Sequence, residues 1–144
     1  MATIIASLAP DLGLMGTTPL ENARVYEWMN WISGTLHGQG FGQLFRPQRY
    51  LDDEAAFDKI KAKGLECIKD CFTSIEGKLK GVHAVGDRFT AVDAYLLVFY
   101  RWGNTNVKLD MKGEYPNYTA LAANLVLRPS VRATLDAENI TSTL

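Results

Sequence analysis

The sequence predicts an all-α domain, and three observations carry that prediction. Residues Gly86-Asp87-Arg88-Phe89-Thr90-Ala91-Val92-Asp93 spell a helix start, and apolar residues elsewhere recur at three-and-four spacing. No segment shows sustained period-two alternation or an Asn-Gly or Asp-Gly hairpin signal. In the start signal, Thr90 and Asp93 have the spacing of a capping box: the Thr hydroxyl accepts from the N–H of Asp93, and the acid reaches back to the N–H of Thr90. The carboxylate also sits at the positive end of the helix dipole. Tyr95, Leu96, Leu97, Val98, Phe99, Tyr100 and Trp102 follow, too many apolar residues for a single stripe. This helix is therefore expected to be the buried, N-capped centre of a five- to six-helix bundle, with Phe89 packing inward against Ala94 as a hydrophobic staple.

The remaining elements follow in order. Residues 2–8 read as a short helix, ended by Pro10 and the turn at Asp11-Leu12-Gly13. Thr18 caps a second helix with Pro19 at its first position and Glu21 three residues after the cap. Its apolar face is Leu20, Ala23, Val25, Trp28, Met29, Ile32 and Leu36, and it is expected to end in Gly38-Gln39-Gly40-Phe41-Gly42, frayed or bent because each glycine costs ~1 kcal/mol, with Pro47 closing it. A third helix opens near Asp52-Asp53-Glu54 and carries Phe57, Ile60, Gly64, Ile68, Cys71, Phe72, Ile75 and Leu79 inward, with most of its lysines on the other face. Gly64 is tolerable there if another helix crosses closely. The capped fourth helix is expected to end at Gly103-Asn104, before a polar, mobile loop over 104–114. Tyr115-Pro116 starts another helix, Pro129 a last short one, and the tail from Asn139 is expected to be loose.

Composition bounds the function. A chain of 144 residues is one domain by length, able to bury a core without metal or disulfide staples. A net charge of −1, with Lys and Arg spread along the chain, argues against a nucleic-acid partner. No apolar run approaches the length of a membrane span, and the N-terminus lacks the basic and apolar regions of a secretory signal, so a cytoplasmic location is expected. Cys67 and Cys71, the only cysteines, stand one helical turn apart; a four-coordinate metal would need two further ligands, and they read as two small core residues. No metal or cofactor site is expected.

The order of these signals resembles a known family. The run from Pro19 to Ile32, then Leu36-His37, Phe41 and Leu44-Phe45-Arg46-Pro47, is similar to the first helix of the C-terminal domain of bacterial glutathione S-transferases, the beta class above all. Gly86 to Tyr95 resembles that family's capped central helix, and Arg101-Trp102, Tyr115-Pro116-Asn117-Tyr118 and Arg128-Pro129-Ser130-Val131 its closing segments. The resemblance runs from residue 2 to about 138. It implies that residues 1–11 correspond to the last helix and linker of the family's thioredoxin-like domain, and residues 12–144 to its helical domain. In the family the thioredoxin-like half carries the catalytic Cys, Ser or Tyr and most of the glutathione site. The sequence offers no substitute for it: no phosphate loop, no nucleophile elbow and no Cys/His pair at readable spacing.

What the resemblance implies about sites is correspondingly narrow. Asn30 and His37 match family positions near glutathione, which is a co-substrate rather than a cofactor; the family often follows this His with Lys, whereas here Gly38 follows. Trp28, Phe41 and Trp102, with Trp31 as a further candidate, are expected to line an apolar second-substrate pocket, although aromatics at this spacing also serve as core. No catalytic residue is assigned. The implied function is that of a glutathione S-transferase-like helical domain, not competent alone to conjugate glutathione to a hydrophobic electrophile. Exposed apolar surface implies a homodimer or another protein partner. The alternatives are a stand-alone helical protein-interaction module and a store for hydrophobic ligands.

Overall fold

The computed structural model describes residues 2–140; Met1 and residues 141–144, where the tail read as loose ends, lie outside the described residues. Among the described residues there is no strand. The helices are α1 (Ala2–Leu8), α2 (Pro19–Trp31), α3 (Gly42–Phe45), α4 (Phe57–Lys78), α5 (Ala91–Trp102), α6 (Met111–Glu114), α7 (Pro116–Val126) and α8 (Pro129–Ala137). The long α4 packs along the segment after α2, while α5 packs on α2 and α7. Val25, Ile32, Ile68, Phe72, Leu96 and Tyr118 are fully buried at the centre.

Helix α2 begins as its sequence requires, with one shift. Thr18 accepts from the N–H of Glu21 at 3.2 Å, but the Glu21 carboxylate reaches past the cap to the N–H and hydroxyl of Thr17, both at 2.7 Å. These bonds hold the Glu21 carboxyl below its ordinary value. The first turn is not core-facing: Leu20 is 67% exposed and Ala23 is exposed, so the buried stripe starts only at Val25.

The glycine-rich stretch does not end the helix. Ile32–Phe41 continues as a π-helical stretch, and α3 carries the rod on to Phe45, where Arg46-Pro47 closes it. The reason is a close helix crossing. A Cβ on Gly64 would stand 2.8 Å from both the Gly40 carbonyl oxygen and the Leu44 backbone nitrogen, and one on Gly40 would meet Ile68 Cγ1 at 2.8 Å. Packing gained at this crossing offsets the intrinsic cost of glycine in a helix.

Helix α5 is capped as expected. The Asp93 carboxylate accepts from the N–H of Thr90 at 2.7 Å, the Thr90 hydroxyl at 3.2 Å and the N–H of Ala84 at 2.8 Å, and the capping box is formed. Leu14 O accepts the orphan N–H of Ala91 at 2.9 Å, tying the connection before α2 to the same helix start. Thr90 and Asp93 are both buried, and His83 Nδ1 lies 3.7 Å from the carboxylate. The helix is central but not enclosed all round: Ala94 is exposed and Val98 is 44% exposed. Phe89 lies under the Arg128 guanidinium, 4.3 Å from ring centroid to Cζ, a cation–π contact for a ring whose expected staple partner, Ala94, faces outward.

Two expectations about the segment after α5 are corrected. Gly103 has φ −57°, so it is not a left-handed stop; the helix runs on through a π turn, Gly103–Val107, and Lys108 takes the left-handed position at φ 61°. Gly103 is required instead by contact, because a Cβ would lie 2.6 Å from Phe72 Cε2 and 2.7 Å from Met111 Sδ. The 104–114 loop is structured: Asp110 accepts from the N–H of Gly113 at 3.0 Å to cap α6, and Met111 is 1% exposed. Helix α7 is capped from a different helix, the Glu76 carboxylate of α4 accepting from the N–H groups of Asn117 and Tyr118 at 2.9 Å each.

Candidate functional site

The site is built where the end of the α2 rod meets α5. His37, Phe41 and Phe45 stand at four-residue intervals and so share a face. That face lies against the last turns of α5: the His37 ring is 5.8 Å from Phe99 and 6.0 Å from Trp102, Phe41 is 5.1 Å from Trp102, and Phe45 is 6.2 Å from it. The tilted and edge-on arrangements are those aromatic quadrupoles favour.

A pocket of about 160 Å³ opens on this cluster, lined by His37, Gly38, Phe41, Gly42, Phe45, Arg46, Arg49, Tyr50 and Trp102. The Tyr50 hydroxyl donates to the Gly38 carbonyl and so pins the 47–50 turn across the glycine-rich stretch. The lining contains two guanidinium groups and no carboxylate. It therefore combines an apolar aromatic wall, an imidazole and a cationic edge, a set suited to an anionic ligand with an apolar portion.

The expected site residues divide between two places. His37, Phe41 and Trp102 come together here, with Phe41 1% exposed and so mainly a packing residue. Trp28 does not join them. It meets Trp31 edge-on at 5.9 Å, and Lys78 from α4 places its ammonium 5.2 Å and 4.8 Å from the two rings. This pair belongs to a separate cavity of about 510 Å³, also lined by Leu20, Glu21, Arg24 and Val85. Trp28 and Trp31 face Lys78 of α4, whereas His37 and Phe41 face the last turns of α5. Asn30 is exposed on α2 and lines neither cavity. Arg46, Arg49 and Tyr50 were missed by sequence reasoning; the signal was their nearness to Pro47, whose turn folds them back over the glycines.

No protein-family model matches this sequence, and no curated protein matches it either. Solved structures do. The chain is similar to a glutathione transferase homologue from Sulfitobacter with bound glutathione, at 26% identity and TM-score 0.85 over 94% of this chain and 64% of that one. It is similar to the beta-class glutathione S-transferase of Sphingomonas chungbukensis, at 28% identity and TM-score 0.80 over 97% of this chain and 66% of that one. It is also similar to a glutathione transferase from Methylococcus capsulatus strain Bath, at 28% identity and TM-score 0.78 over 97% and 66%. The chain thus spans about two thirds of the length of these structures, and its architecture is that of the all-α C-terminal domain of glutathione S-transferases.

Proposed function

We propose that this chain, with the fold of a glutathione S-transferase C-terminal domain, serves as the helical wall of a glutathione S-transferase-like site, and that the pocket at His37, Phe45, Arg46, Arg49, Tyr50 and Trp102 faces glutathione and the apolar electrophile. The observation that carries the reading is the convergence of His37 and Trp102 with two unopposed arginines in one pocket. Glutathione is an anion with two carboxylates, and the cationic edge meets that charge while the aromatic wall meets the electrophile. His37 can exchange a proton there, but proton transfer without an activated thiol gives no conjugation. The 144-residue chain is therefore a binding wall that does not turn over alone.

The α1 helix supports a neighbouring domain. Ile4, Ile5 and Leu8 are 63%, 53% and 81% exposed, and Ala6 is its one buried residue among those described. Residues 1–11 then belong with a thioredoxin-like domain, which covers that apolar row, and residues 12–144 form the helical domain; Met1 and 141–144 lie outside the described residues. The interaction-module reading uses the same row to bind another protein. A conjugation assay with glutathione and an electrophilic chloronitrobenzene, run beside glutathione titration of Trp102 fluorescence, tests the proposal. Saturable quenching that is lost in Arg46→Ala/Arg49→Ala, with no turnover, is expected. Turnover by the chain alone overturns the claim of incompetence, and absence of any glutathione response overturns the site.

A further inference from the structure

The chain's two cysteines, Cys67 and Cys71, are both free and stand on one face of α4 a single turn apart. Both line one cavity of about 370 Å³ between α4 and the rod formed by α2 and its π-helical continuation. Cys67 is half-buried, with Sγ 3.9 Å from the Thr35 carbonyl oxygen, and Cys71 is 3% exposed. The rest of the lining is mainly polar, with Gln39, Gln43, Lys63, Glu66 and Asp70 among it, and also includes Trp31. This cavity is distinct from the His37 pocket, with which it shares no lining residue.

The spacing decides what two such thiols can do. Side chains four apart on a helix have Cβ atoms about 5–6 Å apart. A disulfide needs Cβ atoms within about 3.5–4.5 Å, so joining these sulfurs would distort α4. A linear ion held by two thiolates separates the sulfurs by twice the metal–sulfur distance, about 4.6 Å at ~2.3 Å per bond. That span fits a regular helical turn.

We propose that Cys67 and Cys71 form a two-coordinate thiolate site for a soft, closed-shell ion of the Cu(I) or Hg(II) kind. On binding, each S–H bond breaks, both protons go to solvent, the ion gives up two labile ligands such as chloride or water, and two sulfur–metal bonds form, with no electron transferred. Ions that demand four ligands are poorly served: among the described residues no group of three or more His, Cys, Asp and Glu side chains is placed to hold a metal. Burial first, and then the neighbouring Cys67, push the Cys71 thiol up to about 12. Both sulfurs must lose their protons on binding, which only an ion with high thiolate affinity repays.

The test is titration of the reduced full chain with mercuric chloride. One ion per chain is expected, with two protons released and a sulfur-to-mercury charge-transfer band in the ultraviolet. Zinc at the same concentration should give none of these. Cys67→Ala removes one arm of the chelate at a half-buried position and should weaken binding on the order of 100-fold or more. Circular dichroism reports whether Cys71→Ala, the deeper change, remains folded, and Cys67→Ala carries the test if it does not. Two ions per chain bound independently, one proton each, overturn the proposal, as does unchanged affinity in Cys67→Ala.

Discussion

Replacing Asp93 by Ala is the sharpest test of how this fold is held. The carboxylate accepts from the N–H groups of Thr90 and Ala84 at 2.7 and 2.8 Å and from the Thr90 hydroxyl at 3.2 Å, all at a buried site. An exposed cap of this kind is worth ~1 kcal/mol. Here the alanine variant leaves two backbone donors without partners, at ~1–3 kcal/mol each. Against this, removing a buried carboxylate recovers part of its desolvation cost. The net loss expected at neutral pH is about 2–4 kcal/mol. In urea, with m of about 1–3 kcal/mol per M, the midpoint should fall by on the order of 1–2 M with m unchanged. Asp110 provides the internal control, since it accepts from the N–H of Gly113 at 3.0 Å with its side chain in solvent. Asp110→Ala should cost about 0.5–1 kcal/mol. If the two variants lose equal stability, or Asp93→Ala loses less than ~1 kcal/mol, burial is not what makes this cap strong.

The same carboxylate sets a pH dependence. Burial pushes Asp93 above its ordinary value, against the lowering effect of the Thr90 and Ala84 N–H groups and of His83. The folded state therefore binds more protons between the unfolded and folded values, so the stability Asp93 adds is full below the ordinary carboxylate range and declines as pH rises through the folded value. Wild type minus Asp93→Ala, measured by urea unfolding across that range, should shrink with rising pH; growth refutes the sign. Gly64→Ala should cost about 1–3 kcal/mol, since its Cβ meets backbone at 2.8 Å, whereas Gly77→Ala, with nothing within 4 Å, should gain up to ~1 kcal/mol; thermal melts of the pair check both. Tyr118→Phe removes the buried hydroxyl that donates to Leu96 O at 2.6 Å and should cost ~1 kcal/mol in the same assay. Glu76→Ala should lower stability by ~1 kcal/mol through loss of the α7 cap, with amide exchange at Asn117 and Tyr118 accelerated before the rest of the chain.

Much of this architecture was legible because its signals are local. A helix-start signal needs only four residues, and the cap at Thr18 and the capping box at Thr90 place α2 and α5 correctly; Pro116 and Pro129 do the same for α7 and α8. Long-range causes were invisible. Gly40 and Gly64 are twenty-four positions apart, and only their meeting explains why a glycine-rich stretch stays helical. Gly103 looked like a stop signal and is a contact with Phe72 and Met111. Glu76 caps a helix forty-one residues away, and nothing in its own segment announces that. At the site, His37, Phe41 and Trp102, which the resemblance named, lie together, with Phe45 beside them. Trp28 lies apart from them, against Trp31 and Lys78, because which neighbour a helix face meets is set by packing between distant segments.

The rod beyond Trp31 links the fold to the proposed function. On the α2 rod, Trp28 and Trp31 face Lys78 and the large cavity. Further along, on the π-helical stretch and α3, His37, Phe41 and Phe45 address Trp102, with Arg46 and Arg49 lining the same pocket. Such a stretch has weaker hydrogen-bond geometry than an α-helix and persists only where packing holds it. Here the packing is identifiable: Gly40 lies against Ile68 on one side, Tyr50 bonds the Gly38 carbonyl on the other, and Leu36 and Phe41 are buried between them. The glycines that are unfavourable for helix formation are thus what allow α4 to approach closely enough to hold the widened turns, and the pocket's aromatic wall is a consequence of that crossing.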